Sequence, residues 1–575
     1  MKASCFFVAL GVIGVSSFSS ALNREAFTIT KYDLQVLLEP EQLRLGARGT
    51  IRLRNDSAQP QKVVALQISS SLSWRSIRAG EKPLQFVSQP FVSDIDHTGG
   101  LSEAIVTLPA EIKPKDSVEL EIGYEGVIPL DMTRLTRVGI PTDIARHTSW
   151  DQIGKSSTAV RGAGYVAWYP ITTESADFSE GNSLFEVVNR WKARESGSEF
   201  KAKFVVSRES GERPLLLVCT PGGDGSAEGV SRAQLMTTGC SWEQLGAVTP
   251  TFTAAAYASE SKPPLSLFSL PGHEEGSATY LRAFDPAYKF VTGWFGKPTA
   301  PIAIADFADP HAAPFESGTL LMASMAGEDT KLAGINLVHE LVHSAQASPR
   351  PWVYEGLAHF AEAVYREQQG GRQAALDLLG IHRSAFLDAE KDVAASQGKN
   401  DGQPLITTFD ETYYRSKAAY VWWMLRDMVG EDALKQAIRN YHAADDTDPK
   451  YVERLIESAA KRDLSGFFDD WVYHDRGLPD FHVQSAHPWK DRNERDQKET
   501  QMMTVTLENL GPVGAEVPIT VRCDTSDVTR RLEVHGKSTA TTRIEVPCTP
   551  LEIVVNDGSV PEIDMTNNVF KIAEQ

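Results

Sequence analysis

One short segment, from His339 to Glu362, restricts what this chain can fold into more than any other stretch. It begins with His339, Glu340 and, four residues after the first histidine, His343. On a helix the two histidines share one face and can hold a single metal ion through neutral imidazoles, with Glu340 beside them as a general base. The Ile-Asn-Leu-Val run just before His339 supplies the buried side of that helix. The pattern therefore predicts a zinc site.

A second helical pattern follows and offers a third ligand. Prolines at positions 349 and 351 end the first helix. The pattern that begins at Trp352 then places Glu355, His359 and Glu362 on one face. A carboxylate from this helix would complete a set of two histidines and one glutamate with one open position, which a hydrolytic zinc site requires.

These two motifs, HELVH and the WVYEGLA segment at 352–358, resemble the aminopeptidase N-like gluzincin zinc metallopeptidases. In that family HExxH is followed by an eighteen-residue gap and then a glutamate ligand inside a Trp-Leu-Asn-Glu-Gly-Phe-Ala segment. Here the segment implies Glu355, whereas the gap implies Glu362. We favour Glu355, because the tryptophan and Glu-Gly contacts fix the geometry around the metal while loops between the helices vary in length. Glu362 is then expected to hold one of the histidines through a hydrogen bond.

The resemblance implies further site residues. His359 is expected to be a pocket or packing residue, because a fourth protein ligand would close the catalytic position. In the family, a Gly-Ala-Met-Glu-Asn strand beside the zinc helix supplies a glutamate that captures the free amino group of the substrate. Glu316 is the nearest equivalent here, although the Gly, Ala, Met and Asn around it are missing. Aminopeptidase and endopeptidase activity both stay open on this evidence.

A tyrosine that polarises the scissile carbonyl comes, in the family, from a Tyr-x-Lys-Gly-Ala helix. The segment from Tyr413 onward, YYRSKAAYVWWMLRDM, resembles that helix. Aligning Lys417 with the lysine of the motif places the expected tyrosine at Arg415, one residue after Tyr414. We therefore take Tyr414 as the equivalent, with Tyr413 as the alternative.

The predicted fold class is multidomain α+β. Residues 22–263 alternate apolar and polar residues in short runs between Gly, Pro, Asn and Ser clusters, which predicts an all-β domain. Residues 264–482 show helical periodicity, and the resemblance implies a mainly helical, thermolysin-like zinc peptidase domain. Residues 483–575 are predicted to be a linker and a small β-sandwich, and the polar stretch at 485–501 is read as a linker or a hairpin excursion. Tyr32, Gly49 and Trp168 lie in segments that resemble the N-terminal β-domain of the same family.

The start of the chain predicts export. Residues 1–21 have a Lys2 start, an apolar run and a small-residue site before Leu22, as a cleaved signal peptide does. No later stretch reaches about twenty apolar residues, so we expect no transmembrane segment in the mature chain. The four cysteines that remain form two close pairs, which predicts the disulfides 219–240 and 523–548. Periplasmic or extracellular localisation follows from these signs.

The net charge of the chain and its resemblance to the peptidase family together restrict the class of partner that we expect it to bind. The formal net charge of -19 and a pI near 5.2 argue against nucleic acid as a partner. The resemblance implies an exported zinc metallopeptidase with one zinc ion that acts on peptide or protein substrates. The rival from another class is a non-catalytic exported binding protein built on a decayed peptidase scaffold. The oligomeric state does not follow from the sequence.

Overall fold

The structure is a computed structural model of the chain. It describes residues 22–572 except 181–182, 209–213, 220–233, 243–244, 246–247, 299, 327–329, 396–401, 409, 493–498 and 548. The predicted signal peptide, residues 1–21, lies outside the described residues, and so does Cys548 of the second predicted disulfide. No helix in the described part of the chain has the length and apolar character that crossing a membrane would need.

The N-terminal part of the chain is rich in β-strands. Its strands are β1 (Phe27–Glu39), β2 (Arg44–Asn55), β3 (Gln61–Ser69), β4 (Leu72–Ala79), β5 (Lys82–Pro83), β6 (Phe86–Val92), β7 (Gly100–Ile112), β8 (Ser117–Val127), β9 (Gln152–Ile153), β10 (Ser157–Val160), β11 (Glu199–Arg208), β12 (Leu216–Cys219), β13 (Gln234–Trp242), β14 (Phe252–Ala255), β15 (Ala258–Lys262) and β16 (Leu265–Ser269). A seven-stranded sheet in the order β13-β11-β1-β2-β8-β4-β5 forms its largest layer.

The residues that carried the predicted resemblance of this part lie in its core. Every second residue of the middle of β1 is buried, namely Tyr32, Leu34, Val36 and Leu38. Successive side chains of a strand point to opposite faces, so these four lie on the face that is turned to the core. The Tyr32 ring stacks on Phe200 at 4.6 Å. The strands of this part therefore pack around one apolar cluster, which also contains the fully buried Trp168.

The prediction of a purely β domain is wrong in detail, because three helices interrupt the strands. They are α1 (Thr133–Arg137), α2 (Thr142–Thr148) and α3 (Ser183–Glu195). On α3, Leu184, Val187 and Trp191 are buried at a spacing of three and four residues, so the helix turns one apolar face to the sheets. The part is β-rich rather than all-β.

The central part is mainly helical and contains one mixed sheet. Its helices are α4 (Glu274–Trp294), α5 (Thr330–Ala345), α6 (Pro351–Gly370), α7 (Arg372–Ala395), α8 (Ala418–Val429), α9 (Glu431–Arg439), α10 (Tyr451–Ala460) and α11 (Ser465–Phe468), with π-helical turns at Thr412–Lys417 and Asp469–Tyr473. Three further strands, β17 (Ile302–Asp306), β18 (Phe315–Ser317) and β19 (Leu320–Ala323), join β15 and β16 in the order β15-β16-β17-β19-β18. The predicted domain limit between residues 263 and 264 falls in the turn of the β15–β16 hairpin, and the domain limits stay a prediction.

Helices α6 and α8 approach each other closely at the second predicted motif. A Cβ atom on Gly356 would lie 2.6 Å from the Cβ of Ala418 and 3.0 Å from the Trp422 ring, so only glycine allows this approach. Trp352 stacks on Trp422 at 5.2 Å, and the Trp422 indole donates a hydrogen bond to the Trp352 carbonyl. These contacts fix the rotation of α6 and therefore the direction of Glu355.

The C-terminal part consists of two sheets. Its strands are β20 (Phe481–Arg492), β21 (Glu499–Asn509), β22 (Ala515–Cys523), β23 (Val528–Val534), β24 (Ser538–Val546), β25 (Pro550–Val555) and β26 (Val569–Lys571). They pair as β20-β21-β24 and β23-β22-β25-β26. The polar stretch at 485–501, predicted to be a linker or a hairpin excursion, lies in β20 and β21 in its described part, and these strands pair from Phe481 with Asn509 to Arg492 with Glu499.

One predicted disulfide is present in the N-terminal part. Cys219 and Cys240 are joined with a Cα–Cα distance of 6.2 Å, within the ordinary range for a disulfide. The bond ties β12 to β13 and thereby links the four-stranded sheet β12-β14-β10-β9 to the seven-stranded one.

Candidate metal centre

Two imidazoles and one carboxylate converge between α5 and α6. The Nε2 atoms of His339 and His343 are 3.2 Å apart. The Glu355 carboxylate faces both, with Oε2 at 3.9 Å from the Nε2 of His339 and Oε1 at 3.9 Å from that of His343. Ligand atoms of the three residues all lie within 4.8 Å of one another. The structure thus brings together the three residues that were predicted as metal ligands.

The spacing of these atoms fits one zinc ion. Two imidazole nitrogens bound to a tetrahedral zinc ion at about 2.0–2.1 Å lie about 3.3 Å apart, close to the distance between the two histidines. Burial lowers the pKa of His343 to about 3, so its imidazole is neutral, as a metal ligand must be. Oε2 of Glu355 is buried and accepts no hydrogen bond from the described residues. The donor set therefore suits zinc, with three protein ligands as in catalytic zinc sites.

Glu362 contacts the outer side of His339. Its Oε1 accepts a hydrogen bond of 2.7 Å from Nδ1 of His339, and its Oε2 lies 3.2 Å from Nδ1 of His359. Burial lowers the pKa of His339, but the hydrogen bond and charge of Glu362 outweigh burial and raise this pKa to about 10. A carboxylate in this position orients the imidazole and makes it a stronger ligand. Because Nδ1 of His339 donates its hydrogen bond to Glu362, the other ring nitrogen, Nε2, is the one that faces Glu355.

The Glu362→Gln variant should still bind zinc, but about ten- to a hundredfold more weakly than the wild type, since the hydrogen bond would lose its charge. The measurement is the zinc dissociation constant from competition with a chromophoric chelator. Gln368→Ala, an exposed position on the same helix, is the control. Complete loss of zinc would mean that Glu362 is itself a ligand, and an unchanged constant would mean that its contact with His339 does not matter.

His359 lies at the edge of the centre. Its Nε2 is buried, is 3.9 Å from Oε2 of Glu355 and makes no hydrogen bond with the described residues. Its ring is 4.8 Å from that of His339 and 4.7 Å from that of His382. His359, His339 and Glu362 also form a possible three-residue metal group. The sequence predicts a pocket or packing residue at this position rather than a fourth ligand, and this stays a prediction.

Glu340 and Glu316 lie on another side of the centre, close to each other. Glu340 follows His339 on α5, and Glu316 is the middle residue of the short strand β18. Burial is the first cause that raises the pKa of Glu340 well above its ordinary value, and the charge of Glu316 is the second. Burial and the charge of Glu355 likewise raise the pKa of Glu316. Two carboxyl groups placed in this way can share a proton.

The π-helical turn Thr412–Lys417 carries the remaining candidates. Tyr413 and Tyr414 are both buried. Burial is the main cause that raises the pKa of the Tyr414 hydroxyl, and Glu355 is among the nearby charges that act on it. The next residue, Arg415, has its Nε at 3.4 Å from Oε2 of Glu355. The structure thus places Tyr414 beside the centre and Arg415 in contact with it.

Three residues around the centre were missed by sequence reasoning. The Tyr354 ring stacks on His343 at 3.9 Å, and it stands where the family segment has asparagine. Arg415 occupies the position at which alignment through Lys417 expects the tyrosine. Lys192 of α3 is a third: burial lowers its pKa, while the charges of Glu316 and Glu355 act in the opposite direction. Departures from the family motif mark the first two positions, whereas no sequence signal marks Lys192.

Comparisons with known proteins agree with this architecture. No family model and no curated protein matches the sequence. Among solved structures, the chain is similar to an M1 zinc metallopeptidase from Deinococcus radiodurans, with a TM-score of 0.50 and 15% identity. It is equally similar to a mutant of an M1 zinc metallopeptidase from the same organism bound to a Tyr-Ser-Ala substrate, with a TM-score of 0.50 and 14% identity. Each match covers 79% of this chain and 95% of the other. The predicted resemblance is thus confirmed at the level of the fold, and the chain has the fold of the M1, aminopeptidase N-like, zinc metallopeptidases.

Proposed function

We propose that this chain is a zinc-dependent metallopeptidase that hydrolyses peptide bonds with Glu340 as the general base. The proposal is carried by the meeting of His339, His343 and Glu355, whose ligand atoms lie within 4.8 Å of one another on a fold that known zinc peptidases share. Open coordination at such a set is the hallmark of a hydrolytic rather than a structural zinc site. The substrates would be peptides or proteins.

When bound, a zinc ion would activate a water molecule and polarise the scissile carbonyl. Glu340 takes the proton of that water at its Oε2, which is buried and makes no hydrogen bond with the described residues. It then delivers the proton to the departing amine nitrogen. Tyr414 is proposed to donate a hydrogen bond to the carbonyl oxygen of the substrate.

Export and localisation are part of the proposal. They rest on residues 1–21 and on the Cys219–Cys240 disulfide, since disulfides form and persist in the periplasm and outside the cell. The protein would therefore act on substrates in the periplasm or the extracellular space.

A chelator should remove the activity reversibly. With a quenched fluorogenic peptide as substrate, the purified protein should lose more than about 99% of its rate after dialysis against 1,10-phenanthroline, because no other group present can activate water comparably. One equivalent of zinc should restore the rate. A peptidase rate that survives complete removal of the metal would contradict the proposal, and a protein that holds zinc yet cleaves no peptide would favour the binding-protein alternative.

Glu316 is proposed to bind the free amino group of the substrate, as in an aminopeptidase. The loss of one charge-assisted hydrogen bond should lower kcat/KM about ten- to a hundredfold when the substrate is N-acetylated. The measurement compares a free-amine peptide with its acetylated twin. In the Glu316→Gln variant the two peptides should differ by less than about threefold. Equal rates in the wild type would exclude recognition through Glu316 and would favour an endopeptidase.

A further inference from the structure

Arg415 lies in a local irregularity of the helix that faces the metal centre. Residues Thr412–Lys417 form a π-helical turn, whose hydrogen bonds span one more residue than those of an α-helix and which is frequent at functional sites. Buried charges hold this turn in place. Nζ of Lys417 donates to Asp475 at 2.6 Å and to Glu390 at 3.5 Å, and all three side chains are almost completely buried. These buried ion pairs anchor the turn and with it the backbone of Arg415.

The Arg415 guanidinium is only partly used by its neighbours. Its Nη1 contacts Glu411 at 3.4 Å, and that glutamate is half exposed. Its Nε is buried, makes no hydrogen bond with the described residues and lies 3.4 Å from Oε2 of Glu355. The Arg415 side chain as a whole is 43% exposed, so part of it is open to solvent. A permanent positive charge with an unused N–H thus faces the same space as the predicted ligands.

Tyr414 is placed differently although it is the preceding residue. Its ring lies 5.9 Å from the Arg415 guanidinium, and it is 7% exposed, so it is less accessible than the Arg415 side chain. Burial raises the pKa of its hydroxyl, which is therefore neutral at any physiological pH. A neutral hydroxyl makes a weaker hydrogen bond to an anion than a guanidinium does.

We propose that Arg415 is a catalytic residue whose guanidinium stabilises the negative charge that develops on the carbonyl oxygen of the scissile peptide bond. The inference rests on the proposed peptidase function. A cation held by a rigid turn needs no reorganisation when the charge appears, and a donor fixed in this way accounts for large rate effects. Arg415 takes the larger share of this role, and Tyr414 supports it.

The alternative is that Arg415 only positions Glu355, and zinc affinity separates the two roles. In Arg415→Lys and Arg415→Ala, kcat should fall about a hundred- to a thousandfold while KM changes by less than threefold. The zinc dissociation constant should stay within threefold of the wild-type value. Tyr414→Phe should lose less than tenfold in kcat. Arg454→Ala, which removes an exposed arginine on α10, should leave all three quantities unchanged.

Binding of a transition-state analogue gives a readout that does not depend on turnover. A phosphonate peptide carries the tetrahedral geometry and negative charge of the transition state, and calorimetry on the zinc-loaded protein measures its affinity. This affinity should fall in Arg415→Ala by the same factor as kcat/KM. Guanidinium ion added at millimolar concentration should raise the rate of Arg415→Ala at least tenfold and should leave the rate of Tyr414→Phe unchanged.

Two results would overturn the inference: Arg415 variants with a rate within threefold of the wild type, or a loss of rate matched by an equal loss of zinc affinity with unchanged phosphonate binding. The second result would make Arg415 a positioning residue for Glu355. Failure of the proposed function looks different, because the wild-type protein would then show no zinc-dependent cleavage at all.

Discussion

Glu340→Gln should keep its zinc and lose nearly all turnover. Glu340 is not one of the predicted ligands, and its neutral amide replacement fits the same buried space beside Glu316. The amide cannot accept the proton of the attacking water, so kcat should fall about a hundred- to ten-thousandfold, the usual size of a general acid and base contribution. The measurement is kcat on the fluorogenic peptide together with the zinc content of the same sample.

The control for this variant is Glu431→Gln, an exposed glutamate at the start of α9 that pairs with Lys435. It should keep the wild-type rate. A Glu340→Gln protein that retains full zinc and more than a tenth of the wild-type rate would show that the proton goes elsewhere, with Glu316 as the next carboxylate in the site.

Glu355→Ala should lose zinc. The variant leaves two imidazoles and no carboxylate, and the loss in zinc affinity should exceed the hundredfold that removing an outer hydrogen-bond partner of a ligand can cause. It also leaves Arg415 facing the remaining histidines without a negative charge between them, which repels a cation further. Competition with a chelator gives the zinc dissociation constant.

Gln368→Ala on the same helix, with wild-type affinity, would show that α6 itself tolerates substitution. Circular dichroism of Glu355→Ala should match that of the wild type. Zinc retained at full occupancy in Glu355→Ala, together with zinc lost in Glu362→Ala, would reverse the assignment of the third ligand.

Much of the centre could be predicted because its determinants are local. The spacing of four residues sets His339 and His343 on one face of α5. The contacts of Trp352 and Gly356 with α8 fix the rotation of α6, which is why the WVYEG segment predicts the position of Glu355 better than the length of the intervening loop does. Such contacts depend on a few residues, and these residues can be recognised in the sequence.

The rest of the centre depends on irregular or distant structure. The π-helical turn departs from the period of 3.6 residues, so the directions of the side chains on it do not follow from helical periodicity. The charges of Glu316 and Glu355 act on Lys192, which lies far from both in the sequence, and no pattern within either segment shows this. Helix α3 itself carries an apolar stripe at Leu184, Val187 and Trp191, which the alternation of the neighbouring strands obscured.

The C-terminal part shows a similar limit. The polar stretch after residue 485 is compatible with a linker or a hairpin excursion and does not decide between them, and in the structure it pairs in the β20–β21 hairpin. An exposed strand needs little apolar character, because its stability comes from backbone hydrogen bonds and from pairs across the strands. Sequence patterns therefore underestimate strands that face solvent.

The central claim is that one zinc ion is held by His339, His343 and Glu355 with one position left to solvent. Zinc analysis of the purified protein combined with X-ray absorption at the zinc edge tests it most directly. We predict one zinc ion per chain, bound by two imidazole nitrogens, one carboxylate and a solvent oxygen. A protein that neither contains nor takes up zinc, or a zinc ion whose fourth ligand is the imidazole of His359, would contradict the account.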